Sequence, residues 1–262
     1  VTTATLDRQD TPSRIVRLSF FLGWQDVRLM YRRSVLGQFW ITLSMAITFL
    51  AIGSVFGLIF QSPVVEYLPF LGCGLVFWNF LSLIVNEGAV SFIVGDAFIR
   101  QLPLPPIIFF LRSIWKTVFV LLHNAIALIL LLLVFSPPPT PAILLVFPAV
   151  VLGGAGMAGL ALALAVLATR FRDVPQILSA LIQVLFYLTP IVWLPQSIPE
   201  QARGLILGIN PFYHMIQIMR QPLLGQLPTL QEWGIAGALA AVFIALGALV
   251  YARNYHRLAF WL

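Results

Sequence analysis

Gly95-Asp96-Ala97-Phe98-Ile99-Arg100-Gln101-Leu102-Pro103-Leu104-Pro105-Pro106 lies between two long apolar runs. Prolines at 103, 105 and 106 stop either run from continuing through it as one helix, so the runs are separate elements joined by a loop. A loop ordinarily sheds hydrophobic side chains unless something packs on them, yet Phe98, Ile99, Leu102 and Leu104 remain. The stretch is expected to be a docking surface.

The composition says what the flanking runs are. Of 262 residues, 60% are hydrophobic and 9% charged, and the mean hydropathy is +0.98. Apolar runs of bilayer-spanning length recur throughout, and the alternating pattern of a β-barrel is missing. The chain is expected to be one all-α polytopic transmembrane domain over 1–262. A net charge of +6 would suggest nucleic acid in a soluble chain. Here the positives sit between apolar runs, so they indicate topology and no nucleic-acid partner. The single Cys73 excludes an internal disulfide framework. A charged helix ahead of the first apolar run argues against a cleavable signal peptide.

Six spans are expected, at 38–60, 67–94, 107–135, 142–168, 176–194 and 233–251. Residues 14–35 read as an amphipathic interface helix, with Arg14, Arg17, Gln25, Arg28 and Arg32 along one stripe and Phe20, Gly23, Trp24 and Val27 opposite. Residues 195–231 hold apolar pieces too short to span, punctuated by prolines, and read as short re-entrant or interfacial helices. Arg28, Arg32 and Arg33 precede the first span, Arg100, Arg112 and Lys116 flank the opening stretch, Arg170 and Arg172 follow the fourth span, and Arg253 and Arg257 follow the last. The positive-inside rule then puts both termini and the 95–106 loop in the cytosol, and 195–231 outside. Arg112 and Lys116, within two turns of a cytosolic helix end, are expected to snorkel.

Few residues suggest chemistry. There is no phosphate-binding Gly-x-x-x-x-Gly-Lys-Ser/Thr, and the only lysine follows Trp115. His123, His214 and His256 have no ligand spacing, so no metal site is expected. Glu87 is the carboxylate well inside a span and either faces a cavity or is held in a structural pair. The aromatics, among them Phe39, Trp40, Phe49, Phe56, Trp78, Phe186 and Tyr187, either pack between helices or line a channel. Small residues at helix-repeat spacing, Gly153, Gly154, Gly156, Gly159 and Ala163 in one span and Gly237, Ala241 and Ala245 in another, read as close helix contacts.

Several local signatures occur in order: Trp24-Gln25-Asp26-Val27-Arg28 leading to Tyr31-Arg32-Arg33-Ser34-Val35-Leu36-Gly37 and Trp40, then Leu68-Pro69-Phe70 and Trp78-Asn79-Phe80. Phe98-Ile99-Arg100-Gln101 with Leu104-Pro105, Arg170-Phe171-Arg172-Asp173-Val174, Thr189-Pro190-Ile191, and Asn210-Pro211 with Arg220 complete the series. The series resembles the permease subunit of type-2 ABC exporters, in the branch that moves O-antigen, capsule or teichoic acid polymers. Met45 stands where relatives often have proline, and Pro106 where a basic residue is often seen.

The resemblance implies a non-enzymatic homodimeric permease in a bacterial inner membrane, bound to two copies of a separate ATPase that holds ATP and Mg. Asp96, Ala97, Phe98, Ile99, Arg100, Gln101 and Leu102 would form the coupling helix. Arg28, Arg32 and Arg33 would attract the pyrophosphate of a polyprenyl-linked polysaccharide. Spans one and five would line the channel, with Phe39, Trp40, Phe49, Phe56, Trp78, Glu87, Phe186 and Tyr187 as lining candidates and 195–231 as the outer gate. The alternatives are a type-2 ABC permease for drugs or lipids and, in another class, a secondary transporter, which would show repeat symmetry and more intramembrane charge.

Overall fold

Lipid offers no hydrogen bonds to bare backbone, so each apolar run satisfies its own peptide groups by coiling. The computed structural model describes residues 11–61, 63–102, 104–136, 140–197, 199, 204 and 206–262, and its regular elements are all helical. They are α1 (Pro12–Met30), α2 (Phe39–Phe60), α3 (Val64–Val94), α4 (Asp96–Gln101), α5 (Ile107–Phe135), α6 (Val146–Arg170, entered by a 3-10 turn), α7 (Val174–Leu188), α8 (Pro211–Leu223), α9 (Leu230–Asn254) and α10 (Leu258–Trp261).

Five of the described stretches are long and apolar enough to cross a bilayer: α2, α3, α5, Pro141–Arg170 and Leu230–Trp261. The expected span at 176–194 is instead the 15-residue α7, about 22 Å long against a hydrocarbon core of about 30 Å. It stops at Leu188 because Thr189 precedes Pro190 and takes an extended conformation, ψ 133°. α1 is also shorter than the expected 14–35. It ends at Met30, and residues 31–37 turn back toward α2. Gly37 makes the second of those turns in the left-handed region, φ +56°. α9 starts earlier than expected, because Thr229 and Glu232 form a reciprocal capping box.

α3 is the hub of the bundle. It packs against α2, α5, α6, α7 and α8, and Leu71, Leu81, Ile84 and Phe92 along it are fully enclosed. α5 has 29 residues, about 44 Å at 1.5 Å per residue, which exceeds the bilayer core. Its two halves have different partners. α1 lies along the first half, with Gly23 against the Arg112 carbonyl and Trp115, where an added Cβ would come within 2.8 Å of both. α2 joins the second half, where the Thr42 hydroxyl donates to the His123 carbonyl at 2.8 Å.

α6 and α9 cross closely. A Cβ on Gly159 would sit 2.6 Å from the Ile244 backbone, so the expected small-residue contact on α6 is present. Its partner face on α9 differs from the expected one. Ala236, Ala240 and Gly247 are buried, while Ala241 and Ala245 are exposed and nothing lies within 4 Å of the Cβ position of Gly237. Both sets have helical spacing, and only the partner helix selects between them.

Candidate functional site

α4 begins where α3 ends. The Gly95 amide donates to the Ser91 carbonyl at 3.0 Å, and the Gly95 carbonyl accepts from the Phe98 and Ile99 amides at 3.0 and 2.9 Å. Asp96 in its first turn and Arg100 in its last suit the helix dipole, and they pair at 2.5 Å. Leu102 leaves the helix in an extended conformation, ψ 139°, as a residue before proline does. The expected 96–102 helix is therefore 96–101 plus an extended residue.

The hydrophobic side chains of this segment divide. Ile99 is buried in the main core, and Phe98 stacks on Phe109 with centroids 6.0 Å apart, at 19° between planes. Even so, Phe98 remains 50% exposed and Leu102 44% exposed. Ala97, Arg100 and Gln101 are exposed as well. Ile99 anchors the helix while Phe98 and Leu102 face outward from the end of the bundle.

Behind α4 lies a polar cavity of about 250 Å³, lined by Asp26, Glu87, Ser91, Gly95, Arg112 and Lys116 among others. Arg112 grips Asp26 with two bonds, Nε to Oδ2 and Nη2 to Oδ1, both 2.6 Å. Lys116 Nζ donates to Glu87 Oε1 at 2.7 Å. These cations do not snorkel outward. They turn inward because carboxylates from α1 and α3 meet them on one face of α5, where positions 112 and 116 are one turn apart. Glu87 is held in this pair rather than left free. The four charges sum to zero.

The arginine stripe of α1 and the following turn is exposed at Arg14, Arg17, Arg28, Arg32 and Arg33, while Ser19, Gly23 and Val27 form the buried face. The aromatic candidates separate by burial. Phe39, Trp40 and Tyr187 are exposed, and Phe56 and Phe186 are partly buried. Phe49 and Trp78 are enclosed in the core. Trp78 packs on Phe186 and Phe212, with centroids 5.6 and 4.7 Å away. The Trp78 indole is spent on packing within the chain.

The other end of the bundle is tied together by residues that the sequence scatters. Asn210 Oδ1 accepts from the Phe212 and Tyr213 amides at 3.0 and 3.3 Å, capping α8, and its Nδ2 donates to Thr189 Oγ1 at 2.7 Å. Arg220 of α8 is only 2% exposed. Its Nη2 donates to the Pro190 carbonyl at 2.9 Å, and its guanidinium lies 4.1 Å from the Phe70 ring centroid. Tyr67 donates to the Val192 carbonyl at 2.7 Å. The sequence reading put Arg220 in the outer 195–231 segment without expecting its burial. The signal for its burial was its place in an apolar stretch with no acid one turn away.

Comparisons with known proteins identify the family. A sequence-family model described as ABC-2 type transporter matches residues 17–224. Two curated relatives, each an O-antigen export system permease protein RfbA of Klebsiella pneumoniae, are 22% identical over 236 residues, covering 90% of this chain and 91% of the relative. The chain belongs to the ABC-2 type transporter family.

Proposed function

We propose that this ABC-2 membrane protein is the permease subunit of an ATP-driven exporter that moves a polyprenyl-pyrophosphate-linked polysaccharide across a bacterial inner membrane. It works as a homodimer with two copies of a separate ABC ATPase, which holds the ATP and Mg. The observation that carries the reading is the split of α4, with Ile99 buried as an anchor and Phe98 and Leu102 left outward at the positively flanked end of the bundle. An exposed apolar pair on a helix this short needs a protein partner. The likeness to two O-antigen export permeases along nine-tenths of the chain favours a lipid-linked polysaccharide as cargo.

In this reading α4 and both termini are cytosolic, and α7 completes a count of six spans by local thinning of the bilayer. Arg28, Arg32 and Arg33, all exposed, draw the carrier pyrophosphate to the cytosolic mouth with paired hydrogen bonds. Phe39, Trp40 and Tyr187 offer exposed rings to the sugars, with Phe56 and Phe186 behind them. Closure of the ATPase pushes α4, and the push passes directly into α3. The outer end, pinned by Arg220 and Asn210, forms the gate.

The test compares Phe98→Glu with Ile99→Ala after co-expression with candidate ATPase subunits. Phe98→Glu is expected to abolish co-purification and transport while leaving thermal stability unchanged. Normal co-purification of Phe98→Glu would remove the docking role.

A further inference from the structure

Beside the charge-balanced cavity lies a second feature of opposite character. Two depressions share Leu36 and Phe39. One, about 480 Å³, is a polar mouth lined by Arg28, Tyr31, Ser34, Gln38 and His123. The other, about 490 Å³, is an apolar groove between α2 and α5. Leu43, Ala46 and Leu50 form one wall and Leu130, Leu131 and Phe135 the other, with the buried Phe49 and Leu68 closing the floor. Because α2 and α3 are consecutive antiparallel helices, the mouth at the start of α2 is on the α4 side of the membrane.

The mouth is electrically lopsided. Among the described residues no Asp or Glu lines either depression, whereas Asp26 and Glu87 are already paired with Arg112 and Lys116. His123 Nδ1 lies 2.8 Å from the Phe119 carbonyl. A carbonyl can only accept, so Nδ1 carries the proton; Nε2 is then an acceptor, and Arg28 is the charged donor that this mouth offers to an anion. Among the described residues the groove is lined by one polar side chain, Thr42, whose hydroxyl is spent on the His123 carbonyl. A cationic mouth continuous with a dry channel suits an anionic amphiphile. The groove is a single furrow between two helices, which matches one tail. A polyprenyl phosphate has one tail, and a diacyl phospholipid has two.

We propose that the Arg28 mouth and the α2–α5 groove form one seat for the carrier lipid, with its phosphate at Arg28 and its isoprenoid chain between the helices. This rests on the lipid-linked cargo proposed above and adds the tail's location. The groove would hold the carrier on the subunit's flank before the sugar chain enters the lumen.

Binding of two probes to the full chain in nanodiscs tests the seat. Ala46→Phe, and independently Leu130→Trp from the facing wall, are expected to weaken a long-chain polyprenyl pyrophosphate about tenfold, as loss of two buried methylenes would. Geranyl pyrophosphate, whose short tail engages the mouth alone, should keep its affinity in both variants, which also shows that they fold. Arg28→Gln should weaken both probes. A photoreactive residue at Leu43 should trap the long-chain probe in preference to phosphatidylglycerol. If both groove variants bind the long-chain probe like the wild type, or if Leu43 traps phosphatidylglycerol or a second copy of the chain instead, the seat is overturned and the cargo stands. If the wild type binds neither pyrophosphate, the cargo reading itself fails and takes the seat with it.

Discussion

α2 and α3 are neighbours in sequence and are both strongly apolar, yet they occupy opposite environments. In its most apolar stretch, 83% of α3 is buried inside the protein, against 17% of α2. In water such a difference would show as an amphipathic pattern. In a bilayer it does not, because a leucine facing lipid and a leucine facing protein have nearly the same transfer energy. What separates the two helices is polar and close-packing detail. α3 carries Asn79, whose Oδ1 accepts from Asn124 Nδ2 at 3.0 Å, and Glu87, paired to α5. It also carries Gly88, where a Cβ would meet Ala161 at 2.8 Å. On α2 the hydroxyls of Ser44, Thr48 and Ser54 bond back to its own carbonyls.

The contrast can be broken most sharply at Phe92, which is fully enclosed among the rings of Phe110 and Tyr251. Phe92→Ala should cost about 3–5 kcal/mol, read as loss of thermal stability in nanodiscs. Next comes the α1–α5 clasp: Arg112→Ala should cost about 2 kcal/mol, less than a fully buried pair because water reaches its edge. The exchange Asp26→Arg with Arg112→Asp should recover most of that loss if pairing is its source. Asn124→Ala, which removes one intramembrane hydrogen bond between α3 and α5, is expected to cost about 1 kcal/mol. On α2, Leu58→Ala should change stability by less than about 0.5 kcal/mol, since Leu58 is 80% exposed. A Leu58 effect as large as that of Phe92 would mean that α2 is covered by a second subunit, turning the contrast into a map of the dimer face.

Cysteine labelling sharpens it further by reading exposure directly. The lone Cys73 is buried, so the wild type should not react with aqueous maleimide. Cysteine at Tyr187 should react, and cysteine at Trp78 should not, if only the former faces water.

Much of this was readable from residue order. The prolines at 103, 105 and 106 separate α4 from α5, whereas the capping signal of Thr229 and Glu232 was present in the residues but passed over by the expected start at 233. Other features were not readable because they depend on residues far apart in sequence. Asp26 and Arg112 are 86 residues apart, and nothing local distinguishes an arginine that snorkels from one gripped by a distant carboxylate. Arg220 is similar: its contacts, Pro190 and Phe70, come from other elements.

The sequence by itself determined that the chain is helical and membrane-spanning, that prolines separate its apolar runs, and which loops carry the positive charge. Each depends on local hydrogen bonding and on hydropathy summed along a run. Only the tertiary structure decided which apolar face is core, which carboxylate meets which cation, and that Ile99 points inward while Phe98 points out. These depend on close contact between helices, and in a bilayer hydrophobicity does not encode that contact.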